Sequence, residues 1–331
     1  MDKYISVIIP SYNEEKYINN CVISLLNQDY TCDKMEWIFV DGGSTDHTVE
    51  ILEKYKNDYP HLVKILKNPK KTAPCAMNIG IKEAKGVYII RLDAHAEYKS
   101  DYISKCVFYL NSIDADNVGG VAETKSNGFI GESIALMLSS KFGVGNSQFR
   151  INGNSGYVDT VPFGAFRKEV FENFGGYDER LTRNEDNELN YRIRKNGGKI
   201  FLANDIRFSY YCRETIRDIS NMAIQNGKWN IIAMKMYPGS IGLRHFIPFL
   251  FLLSLIILPL LGLFSASFFF LLAIELFLYV SLDLYYGFHS TKNIKSALMV
   301  SLLFPIFHIT YGFGSLRGIL QILFKGIGIK N

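Results

Sequence analysis

Four short segments of this 331-residue sequence carry residues whose types and spacing can do chemistry. The first is Val40-Asp41-Gly42-Gly43-Ser44-Thr45-Asp46. Its glycines let the backbone turn sharply or approach a ligand. A carboxylate that follows apolar strand residues needs a polar partner, so Asp41 is a candidate acceptor for a base or ribose. Asp46 or Ser44 can instead cap the helix that follows. The second segment is Arg91-Leu92-Asp93-Ala94-His95. Alternate residues of extended chain project the same way, so Asp93 and His95 can meet at one ion. Oxygen with imidazole suits Mn²⁺, and Mg²⁺ can bind through the carboxylate and waters. The third is Arg183-Asn184-Glu185-Asp186-Asn187-Glu188-Leu189. There Asn184 can cap a helix, and first-turn acids complement its dipole. The fourth is Gln225-Asn226-Gly227-Lys228-Trp229. Lys and Trp are also ordinary residues of a membrane boundary.

The elements that must position these residues read as alternating strands and helices. Residues 4–9 form a continuous apolar run that stops at Pro10, as a strand buried on both faces would. Helical spacing follows over 14–28, then strands at 36–40, 62–66 and 87–92, with helices from about Thr48 and over 74–85. That alternation predicts β-α-β units and an open α/β sheet, in which ligands sit at the carboxyl ends of strands. The loops after Ile9, Val40 and Leu92 are therefore the place for chemistry. Residues 119–215 are mixed, with a short strand candidate at YVDTV (157–161) and a helix over 185–195.

The last third is a different solvent. No Asp, Glu, Lys or Arg occurs from His245 to Ile274. Phe246–Phe264 and Ala266–Tyr286 each have the roughly 20 residues needed to cross a hydrocarbon core. Gly262, Ser265 and Ser267 mark a hairpin link between them. Ser296–Leu316, with Pro305 and His308, spans or lies re-entrant, and the tail LRGILQILFKGIGIK reads as an interfacial amphipathic helix. Asp283 is expected near an interface. Lys228, Lys235, Arg244, Lys292 and Lys295 flank the apolar runs, as residues that set topology do. A formal charge of +4, without a dense basic stripe, argues against nucleic acid as a partner. Five cysteines, none spaced as C-x-x-C, fit reduced thiols better than a disulfide framework or structural zinc.

Together the motifs resemble the family 2 glycosyltransferases with the GT-A nucleotide-sugar-binding fold. The resemblance runs through SVIIPSYNEEKYINNCVISLLNQDY and IFVDGGSTDHTVEIL and covers about residues 1–235. Asp93-Ala94-His95 stands where that family has its metal-binding D-x-D motif, with His95 in place of the second acid. Glu185-Asp186 matches its E-D pair, and Gln225 to Trp229 matches Q-x-x-R-W with Lys228 in place of Arg. The DAH triplet, FRKEVFENFGGYDE and the C-terminal runs most resemble membrane glycosyltransferases of succinoglycan and capsule biosynthesis.

The resemblance implies an α/β GT-A domain with a mainly parallel sheet over 1–235. A membrane domain over 236–331 would follow, with two or three transmembrane helices and the amphipathic tail. It implies inverting transfer from a nucleotide sugar, UDP-linked, to a lipid-linked polyprenyl saccharide at the cytoplasmic face of the cell membrane. Pro10, Tyr12, Glu14 and Asp41 would line the nucleotide pocket, and Asn78 would also bind substrate. Asp93 would hold Mn²⁺ or Mg²⁺ on the diphosphate, assisted by His95. Asp186 would be the base, Glu185 would orient the acceptor or the loop, and Gln225, Lys228 and Trp229 would guide the acceptor. A processive synthase of the same fold would need more spans. A catalytically inactive nucleotide-binding scaffold would lack Asp93 or Asp186, and both are present.

Overall fold

A computed structural model describes residues 3–325. In chain order its elements are β1 (Ile5–Ser11), α1 (Ile18–Leu26), β2 (Met35–Asp41), α2 (Thr48–Asp58), β3 (Val63–Lys67) and α3 (Ala73–Glu83). Next come β4 (Tyr88–Arg91), β5 (Ala96–Tyr98), α4 (Tyr102–Ser112), β6 (Asn117–Lys125), α5 (Gly128–Leu138) and α6 (Lys141–Val144). They are followed by β7 (Gly156–Tyr157), β8 (Ala165–Arg167), α7 (Glu169–Phe174), α8 (Glu185–Lys195) and β9 (Ile200–Tyr211). The helices α9 (Ile216–Met236), α10 (Ile247–Gly262), α11 (Ala266–Ser290) and α12 (Ile294–Lys325) complete the chain. The chain divides into two compact units, Met1–Glu123 with Asn152–Tyr211, and Thr124–Ile151 with Cys212–Asn331.

The first unit is built on one mixed sheet, ordered β3-β2-β1-β4-β8-β6-β9-β5, with β7 also paired to β9. β1, β2, β3 and β4 run parallel, in the half that the β-α-β spacing predicts. Their Ile5, Val7, Ile8, Ile9, Trp37, Ile38, Phe39, Ile89 and Ile90 are fully buried, because helices cover both faces of a parallel sheet. The register sets Ser11 beside Asp41, and Ile8 beside Arg91, so the carboxyl ends of β1, β2 and β4 share one edge. The other half is antiparallel: β4 with β8, β8 with β6, and β9 with both β5 and β7. Of the strand expected at YVDTV, Gly156–Tyr157 forms the ladder with β9. Beyond it, Thr160 leaves the ladder and its hydroxyl accepts from the Asn190 amide at 2.8 Å.

The second unit packs α5, α6 and α9 with the three long apolar helices. The boundary expected at residue 235 falls inside α9. That helix belongs by packing to the apolar helices. A Cβ added at Gly227 would lie 2.1 Å from the Tyr311 carbonyl of α12, so the two helices approach backbone to backbone. Three helices, Leu243–Gly262, Ala266–Ser290 and Ile294–Phe324, are long and apolar enough to cross a membrane. The first two bury only 6% of their apolar windows within the unit, against 56% for the third. α10 and α11 therefore present to their surroundings the surface that soluble proteins hide. α12 continues through Pro305, and it takes in the start of the expected amphipathic tail. Residues 326–330 of that tail lie outside the described residues. Glu275 accepts from the Ser254 hydroxyl at 2.6 Å. Asp283 is buried inside the unit, because α11 turns that face onto α12, where Ser301 donates to its carbonyl.

Candidate active site

The carboxyl-end loops of β1 and β2 are knitted into one surface. Asn13 adopts a left-handed conformation (φ +56°), and its N–H donates to the Ser44 hydroxyl at 2.9 Å. The Asn13 side-chain oxygen accepts from the Thr45 N–H at 2.8 Å. The Glu14 N–H donates to the Thr48 hydroxyl at 2.7 Å, and that hydroxyl donates to Asp46 at 2.6 Å. Asp46 thus secures the start of α2, as expected, and also accepts from the Glu15 N–H. Ser44 joins the loops instead of capping. Asp41 is buried, and its partners are in its own turn: the Gly43 and Ser44 N–H groups and the Ser44 hydroxyl at 2.6 Å. Gly43 makes that turn possible at φ +78°. Pro10 pairs beside Val40, and Tyr12 stands exposed next to Gly42 with the Lys71 ammonium 5.9 Å from its ring.

Past β4, Asp93 and His95 do converge. His95 Nδ1 lies 3.0 Å from Asp93 Oδ1 and 3.3 Å from Glu14 Oε1. One donor atom from each of the three residues falls within 4.8 Å of the others, and all three side chains are part-buried. Two carboxylate oxygens and an imidazole nitrogen are a donor set that a divalent ion such as Mn²⁺ accepts, so these residues fit the metal that the resemblance implies. Burial alone would discharge His95. The charge of Asp93 and the hydrogen bond to Glu14 outweigh it and raise its pKa to about 10. Tyr210, which pairs with Ala96, sets its ring 5.4 Å from the imidazole, and Tyr17 stacks on Tyr211 beside it.

A second pair of carboxylates meets a different cation. The guanidinium of Arg91, buried at the end of β4, donates to Glu185 at 3.0 Å and also to Asp186. Asn184 occupies the N-cap position of α8 in a left-handed conformation (φ +64°) and gives no side-chain cap, contrary to expectation. The two first-turn acids are turned onto Arg91, so dipole compensation is not their whole purpose. Of the pair, Asp186 is the more accessible, with a side-chain exposure of 30% against 10% for Glu185. Desolvation, with the charges of Glu185 and Asp93, pushes the Asp186 carboxyl up to about 7 against the pull of Arg91.

Several neighbours serve the scaffold. Asn78, expected to bind substrate, is hydrogen-bonded to the chain itself. Its amide donates to the Tyr177 carbonyl and Glu179 and accepts from the Tyr177 N–H, which occupies its polar atoms on the loop before α8. Glu188 is fully engaged with Arg192, whose guanidinium also reaches the Phe174 and Gly176 carbonyls. Asp178 forms a bidentate pair with Arg180. Gln225, Lys228 and Trp229 lie on α9 in the second unit. Gln225 is exposed there, and the Lys228 ammonium is 5.9 Å from the Trp229 ring. Sequence reasoning missed the part of Arg91, although it stands two residues before Asp93. Its partners are more than 90 residues away, and only the fold brings them to it.

Residues 6–175 match the family described as Glycosyl transferase family 2. The chain is 30% identical over 244 residues to the succinoglycan biosynthesis protein ExoA of Rhizobium meliloti, covering 73% of each chain. It is 26% identical over 328 residues to the dolichyl N-acetyl-alpha-D-glucosaminyl phosphate 3-beta-D-2,3-diacetamido-2,3-dideoxy-beta-D-glucuronosyltransferase of Methanococcus voltae. That alignment covers 96% of this chain and 98% of the relative. Among solved structures, the mannosyltransferase PcManGT of Pyrobaculum calidifontis, in complex with GDP-Man and Mn²⁺, matches with a TM-score of 0.67 at 17% identity. The match covers 98% of this chain and 88% of that one.

Proposed function

Because this chain belongs to glycosyl transferase family 2, we propose that it moves a sugar from a nucleotide-sugar donor to a lipid-linked saccharide, with inversion at the anomeric carbon. The observation that carries the reading is the pairing of an ion-binding acid, Asp93, with a reachable base, Asp186, at one strand-end site. Pro10, Tyr12 and Asp41 line the nucleotide side, with the Asp41 turn shaping its backbone. Asp93 and His95 hold Mn²⁺ or Mg²⁺. When bound, that ion neutralises the charge developing on the leaving nucleoside diphosphate. Asp186 takes the proton from the acceptor hydroxyl, and a base with a pKa near neutrality is well matched to that task. Glu185 stays on Arg91 and fixes the guanidinium that in turn aims Asp186. With no second carboxylate placed as a nucleophile, direct displacement follows, and it inverts the centre.

The α10–α11 hairpin crosses the membrane and returns. Lys235 and Arg244 precede it, and Lys292 and Lys295 follow it, so the positive-inside rule puts both ends and the catalytic unit on the cytoplasmic face. Gln225, Lys228 and Trp229 then guide the lipid-linked acceptor. The relatives in succinoglycan and dolichyl-phosphate glycan synthesis support a place in polysaccharide or glycolipid assembly. The full chain should stay with membranes through a carbonate wash, and release by carbonate alone would contradict the spans. A donor screen tests the activity: detergent-solubilised protein, membrane lipids, Mn²⁺ or Mg²⁺, and UDP- and GDP-sugars, scored for nucleoside diphosphate. A UDP-sugar is the expected donor. Lipid-dependent release from none of the donors would overturn the reading.

A further inference from the structure

We propose that Glu14 is a third protein ligand of the divalent ion, beside Asp93 and His95, and that the three hold the ion on the free enzyme before a nucleotide arrives. The inference rests on the metal reading of Asp93 and His95 and moves Glu14 out of the nucleotide pocket.

Two observations converge on it. The first is spacing. Adjacent ligands of an octahedral ion, at metal–donor distances of about 2.1 Å, stand about 3 Å apart. His95 Nδ1 stands 3.0 Å from Asp93 Oδ1 and 3.3 Å from Glu14 Oε1. Ligation through Nδ1 leaves the imidazole proton on Nε2. The second is rigidity. The Glu14 N–H is tied to Thr48 at 2.7 Å, and its carbonyl accepts from the Tyr17 and Ile18 N–H groups at 2.8 Å each. The backbone that carries this ligand is therefore fixed before any ion binds, which lowers the ordering cost of the site.

A D-x-H pair by itself leaves most of the coordination shell to waters and the diphosphate. A third protein ligand makes binding independent of the nucleotide, and the imidazole nitrogen favours Mn²⁺ over Mg²⁺.

The test is a Mn²⁺ titration of the full detergent-solubilised chain without nucleotide or acceptor, read by the EPR signal of free Mn²⁺. One ion should bind the parent protein. Glu14→Gln should weaken it by at least about tenfold, as losses around metal ligands do. Thermal melting checks that each variant is folded. If Glu14→Gln does not fold, Glu14→Asp keeps the charge and loses the reach, and the same weakening is expected. Unchanged affinity in a folded Glu14 variant, with Asp93→Asn still losing the ion, overturns the Glu14 assignment alone. Unchanged affinity in Asp93→Asn as well overturns the metal reading beneath it. Binding to the parent protein only when UDP is added overturns the claim that the ion precedes the nucleotide.

Discussion

Two clusters on the same strand-end edge each place a pair of carboxylates around a cationic group, and they differ in whether that charge can be exchanged. Glu14 and Asp93 surround His95 Nδ1, part-buried and titratable. Glu185 and Asp186 surround Arg91, a buried guanidinium that remains charged. In the first cluster a proton can give way to a metal ion, so the site can gain a ligand and lose it. In the second the cation is permanent, so it holds the geometry of its carboxylates, one of which is the proposed base. On the proposed function, one fold uses similar sets of charges for a binding site and for a positioned base.

Removing the ion should have the largest effect on this contrast. Asp93→Ala should abolish turnover, and chelation should do the same to the parent protein, with Mn²⁺ restoring only the latter. Full activity of the Asp93 variant in chelator would break the distinction. Removing the permanent cation should show in stability instead. Arg91→Gln leaves Glu185 and Asp186 uncompensated, and breaking a buried pair in this way costs about 3–5 kcal/mol. A denaturant titration within 1 kcal/mol of the parent would show that Arg91 does not hold the pair. A smaller effect concerns pH. Burial raises the Asp186 pKa to about 7, so the carboxyl is protonated, and unable to accept a proton, below that value. The maximal transfer rate should fall about tenfold per pH unit below roughly pH 6 and level off above pH 8. A flat profile from pH 5 to 8 would contradict the base assignment. The mildest change should come from His95→Asp, which makes the first cluster all-oxygen. It should shift metal preference toward Mg²⁺ while leaving the Arg91 cluster unaltered, and an unchanged Mn²⁺/Mg²⁺ ratio would remove the imidazole from the site.

The parallel half of the sheet was legible because its strands are continuous apolar runs between helices with clear spacing. The antiparallel half was not. β5 and β8 have three residues each, too few for periodicity to register, and the strands they pair with are far away in sequence. Asp93, His95 and Asp186 could be picked out by type and position. What the sequence could not give was distance. The approach of Glu14 to His95 was hidden because the two lie 81 residues apart in sequence. Asn78 looked available because the loop that consumes its amide lies about 100 residues on. Asp41 was expected to await a ligand, yet the Gly43–Ser44 turn supplies its hydrogen bonds. The apolar helices were readable from composition, but which of them face outward was not, since α12 is as apolar as a span and is half covered.

The central claim is that Asp186 moves the proton while the Asp93 cluster holds the donor. Asp186→Asn, measured for donor affinity and single-turnover transfer on the same preparation, tests it most directly. The account predicts donor binding within about twofold of the parent protein and transfer slowed by about 10²–10⁴-fold. Near-normal transfer by a folded Asp186→Asn protein would contradict it.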